Sequence, residues 1–130
     1  MHMIRIGEIR IPRLLIIIIP VIVLLLIIYF NSIMAPASMI RSQILRKTPI
    51  GTSMGDVIQY IEKKEKWRLA YVSNEYGYVD RDQNKVGSQS VGADIGSFYV
   101  MFEVLVTVEW GFDSDSKLID VMVVKSANVM

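Results

Sequence analysis

From Leu14 to Phe30 the chain reads LLIIIIPVIVLLLIIYF, seventeen residues without a charge and apolar on every helical face. At about 1.5 Å of rise per residue this run extends roughly 26 Å as a helix, against a hydrocarbon core of about 30 Å. Asn31 to Ala35 can lengthen it to about 33 Å at modest polar cost. Pro20 would break a water-exposed helix, but a membrane helix tolerates it as a kink. Tyr29 and Phe30 suit the membrane–water boundary. The pattern therefore predicts a transmembrane anchor over residues 14–35, contacting the lipid bilayer through Leu14–Phe30. A buried helix of a soluble core is the poorer reading, because the remaining chain is too short to cover every face.

Beyond Ala35-Pro36-Ala37 the pattern becomes that of a folded domain over residues 38–130. Ser38 is a candidate N-cap for a helix over Met39 to Lys47, with Ile40 and Ile44 on one edge. Thr48-Pro49 ends that helix, since the residue before a proline disfavours the helical region. Ser53, with Asp56 three residues on, opens a second helix as an acidic variant of the capping box. Its buried face is Val57, Ile58 and Ile61, and Glu62 to Lys66 is a charged, solvated exit.

The period then changes from helical to alternating. Trp67 to Val72 reads as a strand. From Ser73 to Ser97 the chain is polar and carries Gly77, Gly87, Gly92 and Gly96, with short strands at Tyr76–Val79 and Val91–Ile95. Phe98 to Phe112 alternates strictly: Phe98, Val100, Phe102, Val104, Val106, Val108, Trp110 and Phe112 are apolar, so one long strand with a single buried face is expected. Asp113-Ser114-Asp115-Ser116 is turn chemistry, and Leu118 to Val124 returns as its antiparallel partner. Helices followed by strands give an α+β class: an N-terminal transmembrane helix, then two short helices packed on an antiparallel sheet of three or more strands.

Charge adds orientation. Arg5, Arg10 and Arg13 lie in a short basic tail over residues 1–13, while Arg41, Arg46 and Lys47 follow the run. The leading arginines sit closer to the bilayer, which predicts a cytoplasmic N-terminus and an external C-terminal domain. Ala35-Pro36-Ala37 is also an A-x-A pattern, so release of a secreted inhibitor or ligand-binding protein by cleavage after Ala37 is the alternative. Against it, the apolar run is longer than the 7–15 residues usual for a signal peptide. After Ala37 the chain has 11 Lys+Arg and 12 Asp+Glu. That balance gives no general attraction for nucleic acid.

Candidate chemistry is sparse. The chain has no cysteine, which removes thiol catalysis, zinc–thiolate sites and disulfides. Its one histidine, His2, falls in the tail, so neither a histidine metal site nor a histidine-based triad can form in the domain. Asp80, Asp82 and Asn84 start like a calcium loop, but Lys85 replaces the glycine of the sharp turn and Val91 the closing glutamate. Asp113 and Asp115 alternate in a hairpin turn. A hydrolase using Asp80, Asp82 or Asp113 is the least favoured reading, and Glu103 and Glu109 lie about 20 Å apart along one strand. Trp67, Tyr71, Trp110 and Phe112 suit core packing better than a recognition patch. The expectation is a non-catalytic module with no cofactor and no metal, working by contact with another envelope protein through the sheet or the Ser73–Ser97 loop.

One resemblance adds to this. Ile50-Gly51-Thr52-Ser53-Met54-Gly55-Asp56-Val57 is similar to the glycine, hydroxyl residue and valine that lead into the second helix of BamE/SmpA-type small envelope domains, a type also seen in β-lactamase inhibitory proteins. Val108 to Asp113 with Leu118 to Val121 looks like their last two strands. The resemblance implies an envelope-facing binding module without catalysis. The chain departs from the family in lacking a lipobox cysteine, and in having Glu62-Lys63-Lys64 where the family has a glycine-x-proline exit.

Overall fold

The computed structural model describes residues 3–6, 9–30 and 33–128. His2 and Asn31, both used above, lie outside them. Within the basic tail, strands β1 (Met3–Ile6) and β2 (Ile9–Pro12) pair antiparallel, Met3 opposite Pro12 and Ile6 opposite Ile9. Helix α1 (Arg13–Phe30) follows directly, with Pro20 inside it. Every Leu, Ile and Val from Leu14 to Ile28, and Tyr29 after them, is between 36% and 63% exposed, so the domain buries no face of α1. Its 18 residues extend about 27 Å. No helix among the described residues is long and apolar enough to cross a membrane.

Ile33, Met34 and Ala35, where the sequence suggested the anchor's last turn, lie against the folded domain. Ala35 is fully buried in the core, and Ile33 packs on it. Helix α2 (Ala37–Lys47) begins one residue before Ser38, which corrects the expected cap. Pro36 is the N-cap, at φ −55° and ψ 146°, and its carbonyl accepts from the Met39 and Ile40 amides. Proline fixes the φ of its own residue, so the chain enters the helix from Pro36 without a side-chain cap. Thr48, at φ −125° and ψ 77°, ends α2 as expected. Helix α3 (Met54–Glu62) is capped as read: Ser53 Oγ accepts the Asp56 amide at 3.2 Å.

Strand β3 (Arg68–Ser73) is followed by a small hairpin, β4 (Tyr78–Val79) with β5 (Lys85–Val86). Then come β6 (Gln89–Tyr99), β7 (Glu103–Phe112) and β8 (Leu118–Asn128). The main sheet has the order β3-β6-β7-β8, each pair antiparallel. The fold is α+β, with α2 and α3 on one face of this four-stranded sheet. Ile40, Ile44, Val57 and Ile61 from the helices meet Val91, Ala93, Val106, Val108, Trp110, Phe112, Leu118 and Val121 from the strands, and all are at most 5% exposed.

The stretch Ser73–Ser97 carries strands where short ones were expected, β4 within Tyr76–Val79 and β6 over Val91–Ile95. Its second half, however, is not a loop around a short strand: β6 is an inner strand eleven residues long. Small residues serve there because Gly92 lies against the Tyr71 ring, where an added Cβ would come 2.2 Å from Cε1. The alternation from Phe98 to Phe112 is not one strand either. The chain reverses over Val100–Phe102, and Phe98 pairs with Val104. A bulge between Asp94 and Gly96 shifts the register of β6, so that Phe98 shares the helix-covered face with Val104 and Val106.

Candidate functional site

The helices leave a groove where the end of α2 passes the exit of α3. Its volume is about 390 Å³, and its floor is Ile33, Ile40, Ile44 and Ile95. Gln43, Tyr60 and Trp67 form its walls, and Arg46, Lys47 and Lys64 stand on its rim. The three cations are exposed, and among the described residues no carboxylate lines the groove. Trp67 and Tyr60 meet edge to face, centroids 5.5 Å apart at 86°. Lys64 Nζ lies 5.1 Å from the Tyr60 centroid and 5.6 Å from that of Trp67. Both rings attract the ammonium and hold it at the groove mouth. Burial raises the Tyr60 hydroxyl pKa above its ordinary value. An apolar floor under a positive rim suits an apolar side chain that carries, or sits beside, a carboxylate.

The local reasons for this site are short-range. The Lys63 amide bonds back to the Gln59 carbonyl and the Lys64 amide to that of Ile61, closing the last turn of α3. The Trp67 amide then reaches the Lys64 carbonyl at 3.2 Å. This turn sets Tyr60, Lys64 and Trp67 together before the chain enters β3. Glu62–Lys66, expected as a solvated helix end alone, thus brings Lys64 together with Trp67 at the groove. The signal was present as two aromatic residues on either side of a lysine.

A second hollow, about 320 Å³, lies between the start of α2 and β8, with Arg41, Tyr78, Asp80 and Asp120 on its walls. Arg41 is fixed twice: Nη2 bonds Asp120 Oδ1 at 2.6 Å and Nε donates to the Val121 carbonyl at 2.8 Å. Burial, then the charge of Asp120, pushes the Tyr78 hydroxyl pKa upward. Arg41 is already paired, and Asp80, Asp82 and Asp120 line the hollow beside Arg81, so it is the poorer candidate for an anionic partner.

The other singled-out residues disperse. Asp80 Oδ1 accepts the Asp82 and Asn84 amides, both at 2.9 Å, and so shapes a turn. Asp113 Oδ1 does the same for Asp115 and Lys117. Among the described residues no three His, Asp or Glu side chains gather as a metal set. Trp110 and Phe112 are fully buried core residues, whereas Trp67 lines the groove. Tyr71 is on the opposite sheet face, donating to Glu109 Oε1 at 2.7 Å. Glu109 and Glu103 both lie on β7. No family model, no curated protein and no solved structure matches this chain.

Proposed function

We propose that this chain is a single-pass membrane protein whose C-terminal domain binds another envelope protein outside the cytoplasm. The observation that carries the reading is the exposure of α1 on all faces, Leu14 through Tyr29. Burying a leucine, isoleucine or valine gains about 1.5–3 kcal/mol, and α1 finds no such burial on the domain. A bilayer supplies it. The helix as described is about 3 Å, or two residues, shorter than the hydrocarbon core, and a short segment is accommodated by local thinning.

Retention rather than release is supported by what lies at the A-x-A pattern. Ala35 is fully buried, and Lys125 Nζ donates to the Ala35 and Met34 carbonyls. Ala37 is the first residue of α2. Cleavage after Ala37 removes Ile33 and Ala35 from the core and cuts α2 inside its first turn. The resemblance to BamE/SmpA-type domains sits within the same proposal. Its matching residues have local roles here: Gly51 at φ +95°, Ser53 as the cap, and Val57 in the core.

The test has two parts. Full-length protein in native membranes should resist alkaline carbonate extraction, with its C-terminal domain reachable only from outside; extraction into the aqueous phase overturns the anchor. N-terminal sequencing that yields Ser38 overturns retention. For binding, wild type and a variant with Lys64→Glu and Arg46→Glu are crosslinked in intact cells. The reading holds if one protein crosslinks to the groove in wild type and is lost in the variant. It falls if the crosslinked set is the same for both.

A further inference from the structure

The β6–β7 hairpin ends in four consecutive apolar residues with little cover: Tyr99 73%, Val100 69%, Met101 92% and Phe102 48% exposed. Their place in the fold links them to α1. One row across the sheet is Gly96–Val106–Lys125, in register on β6, β7 and β8. The segment just after α1 lies across that row. A Cβ on Gly96 would come 2.9 Å from Ile33 Cδ1, and Lys125 bonds the Met34 and Ala35 carbonyls. Phe30 is three residues from Ile33, so the end of α1 lies within about 11 Å of the Ile33 backbone whatever direction the helix takes. From Gly96, the strand runs about 13 Å further to Val100. The anchor's exit and the apolar tip therefore share one end of the sheet.

We propose that this tip, Tyr99–Phe102, is a second membrane contact, dipping into the headgroup–acyl boundary of the leaflet from which the domain emerges. The proposal rests on α1 being the anchor. A narrow tip of aromatic and flexible apolar side chains suits a fluid interface, where tyrosine and phenylalanine rings partition well. Lys125, whose ammonium stands 5.3 Å from the Phe98 centroid, places a cation at the same end, on the level of the lipid phosphates. The insertion fixes how the domain stands on the bilayer. It holds one end of the sheet at the membrane and carries the turn at Asp113–Ser116, at the far end of β7 about 30 Å away, into solvent.

Because the chain contains no cysteine, single-cysteine variants report cleanly. Full-length Met101→Cys, Ser114→Cys and Ile22→Cys are labelled with a polarity-sensitive fluorophore and reconstituted in phosphatidylcholine–phosphatidylglycerol nanodiscs. Quenching is read with lipids carrying a spin label at a shallow or a deep acyl position. The Met101 label is expected to be blue-shifted and quenched by the shallow lipid, the Ser114 label unshifted and unquenched, and the Ile22 label quenched by the deep lipid. An unquenched Met101 label beside a quenched Ile22 label overturns the tip and leaves the anchor intact. An unquenched Ile22 label overturns the anchor itself. A blue-shifted Met101 label that no lipid quencher reaches means that a protein, or a second copy of the chain, covers the tip, and this also overturns the proposal. The double variant Val100→Asp with Met101→Asp, carrying a label at Phe102→Cys, should lose the shift; its retention overturns the proposal too.

Discussion

Trp110 Nε1 donates to Thr48 Oγ1 at 3.2 Å, and both residues are buried. The Thr48 hydroxyl in turn donates to the Ile44 carbonyl at 2.9 Å. A side chain from an inner strand is thereby tied to the last turn of α2, 62 residues away in sequence. The indole has one donor, and the Ile44 carbonyl, which already accepts the Thr48 amide at 2.7 Å, has a second lone pair. One hydroxyl therefore accepts from the indole and donates to that carbonyl. Replacing Thr48 with valine keeps the volume and leaves the indole N–H unpaired in the core. The expected loss is about 1–3 kcal/mol in stability. Thr48→Ser should restore most of it. Denaturant unfolding of the detergent-solubilised full chain, followed by tryptophan emission, measures both.

The cap of α3 gives a smaller effect. Ser53→Ala removes the oxygen that accepts the Asp56 amide, at an expected cost of about 1 kcal/mol. Ser53→Asp keeps an acceptor and adds charge favourable at a helix N-terminus, so it should unfold near the wild-type midpoint.

Gly92 and Tyr71 form a fitted pair. An alanine at position 92 would put its Cβ 2.2 Å from Tyr71 Cε1 and 2.7 Å from Cδ1, so the ring must swing away. That movement breaks its bond to Glu109. Gly92→Ala is expected to cost about 1–3 kcal/mol, as overpacking does. In Tyr71→Ser the same glycine change should cost much less. A double-mutant cycle measures this coupling, and additive costs would contradict the contact.

Alkaline pH probes the same face. Burial, the hydrogen bond to Glu109 and that carboxylate's charge all hold the Tyr71 pKa above its ordinary value; burial does so for Tyr78. In the unfolded chain tyrosine loses its proton near pH 10. Above that pH the unfolded state binds fewer protons than the folded one, so stability falls as pH rises from about 10 and is unaffected by these groups below it. Unfolding midpoints measured from neutral to strongly alkaline pH should show this decline, with a shallower one in Tyr71→Phe.

Much of the domain was legible because it is encoded locally. The Ser53 cap, the end of α2 at Thr48 and the turn at Asp113 each depend on a few adjacent residues with one dominant physical role. The reversal at Val100–Phe102 was not legible. Phe98 opposes Val104, so even-numbered residues face the core on both sides of the turn, and the alternation runs through it unbroken. Neither glycine, proline, asparagine nor aspartate marks the turn. The groove escaped for a related reason: Ile33, Ile44, Lys64 and Ile95 converge only when α2 and α3 lie across the sheet.

By itself the sequence determined an unbroken apolar helix, a domain with paired charges and no thiol, and the alternation that built one face of a sheet. Those are properties of composition and of periods a few residues long. Only the tertiary structure decided that the alternating run is two strands, that Ala35 belongs to the core, and that the apolar tip stands at the same end as the exit of α1. These depend on which strand pairs with which and in what register. That choice is made by contacts far apart in sequence, and no local period records it.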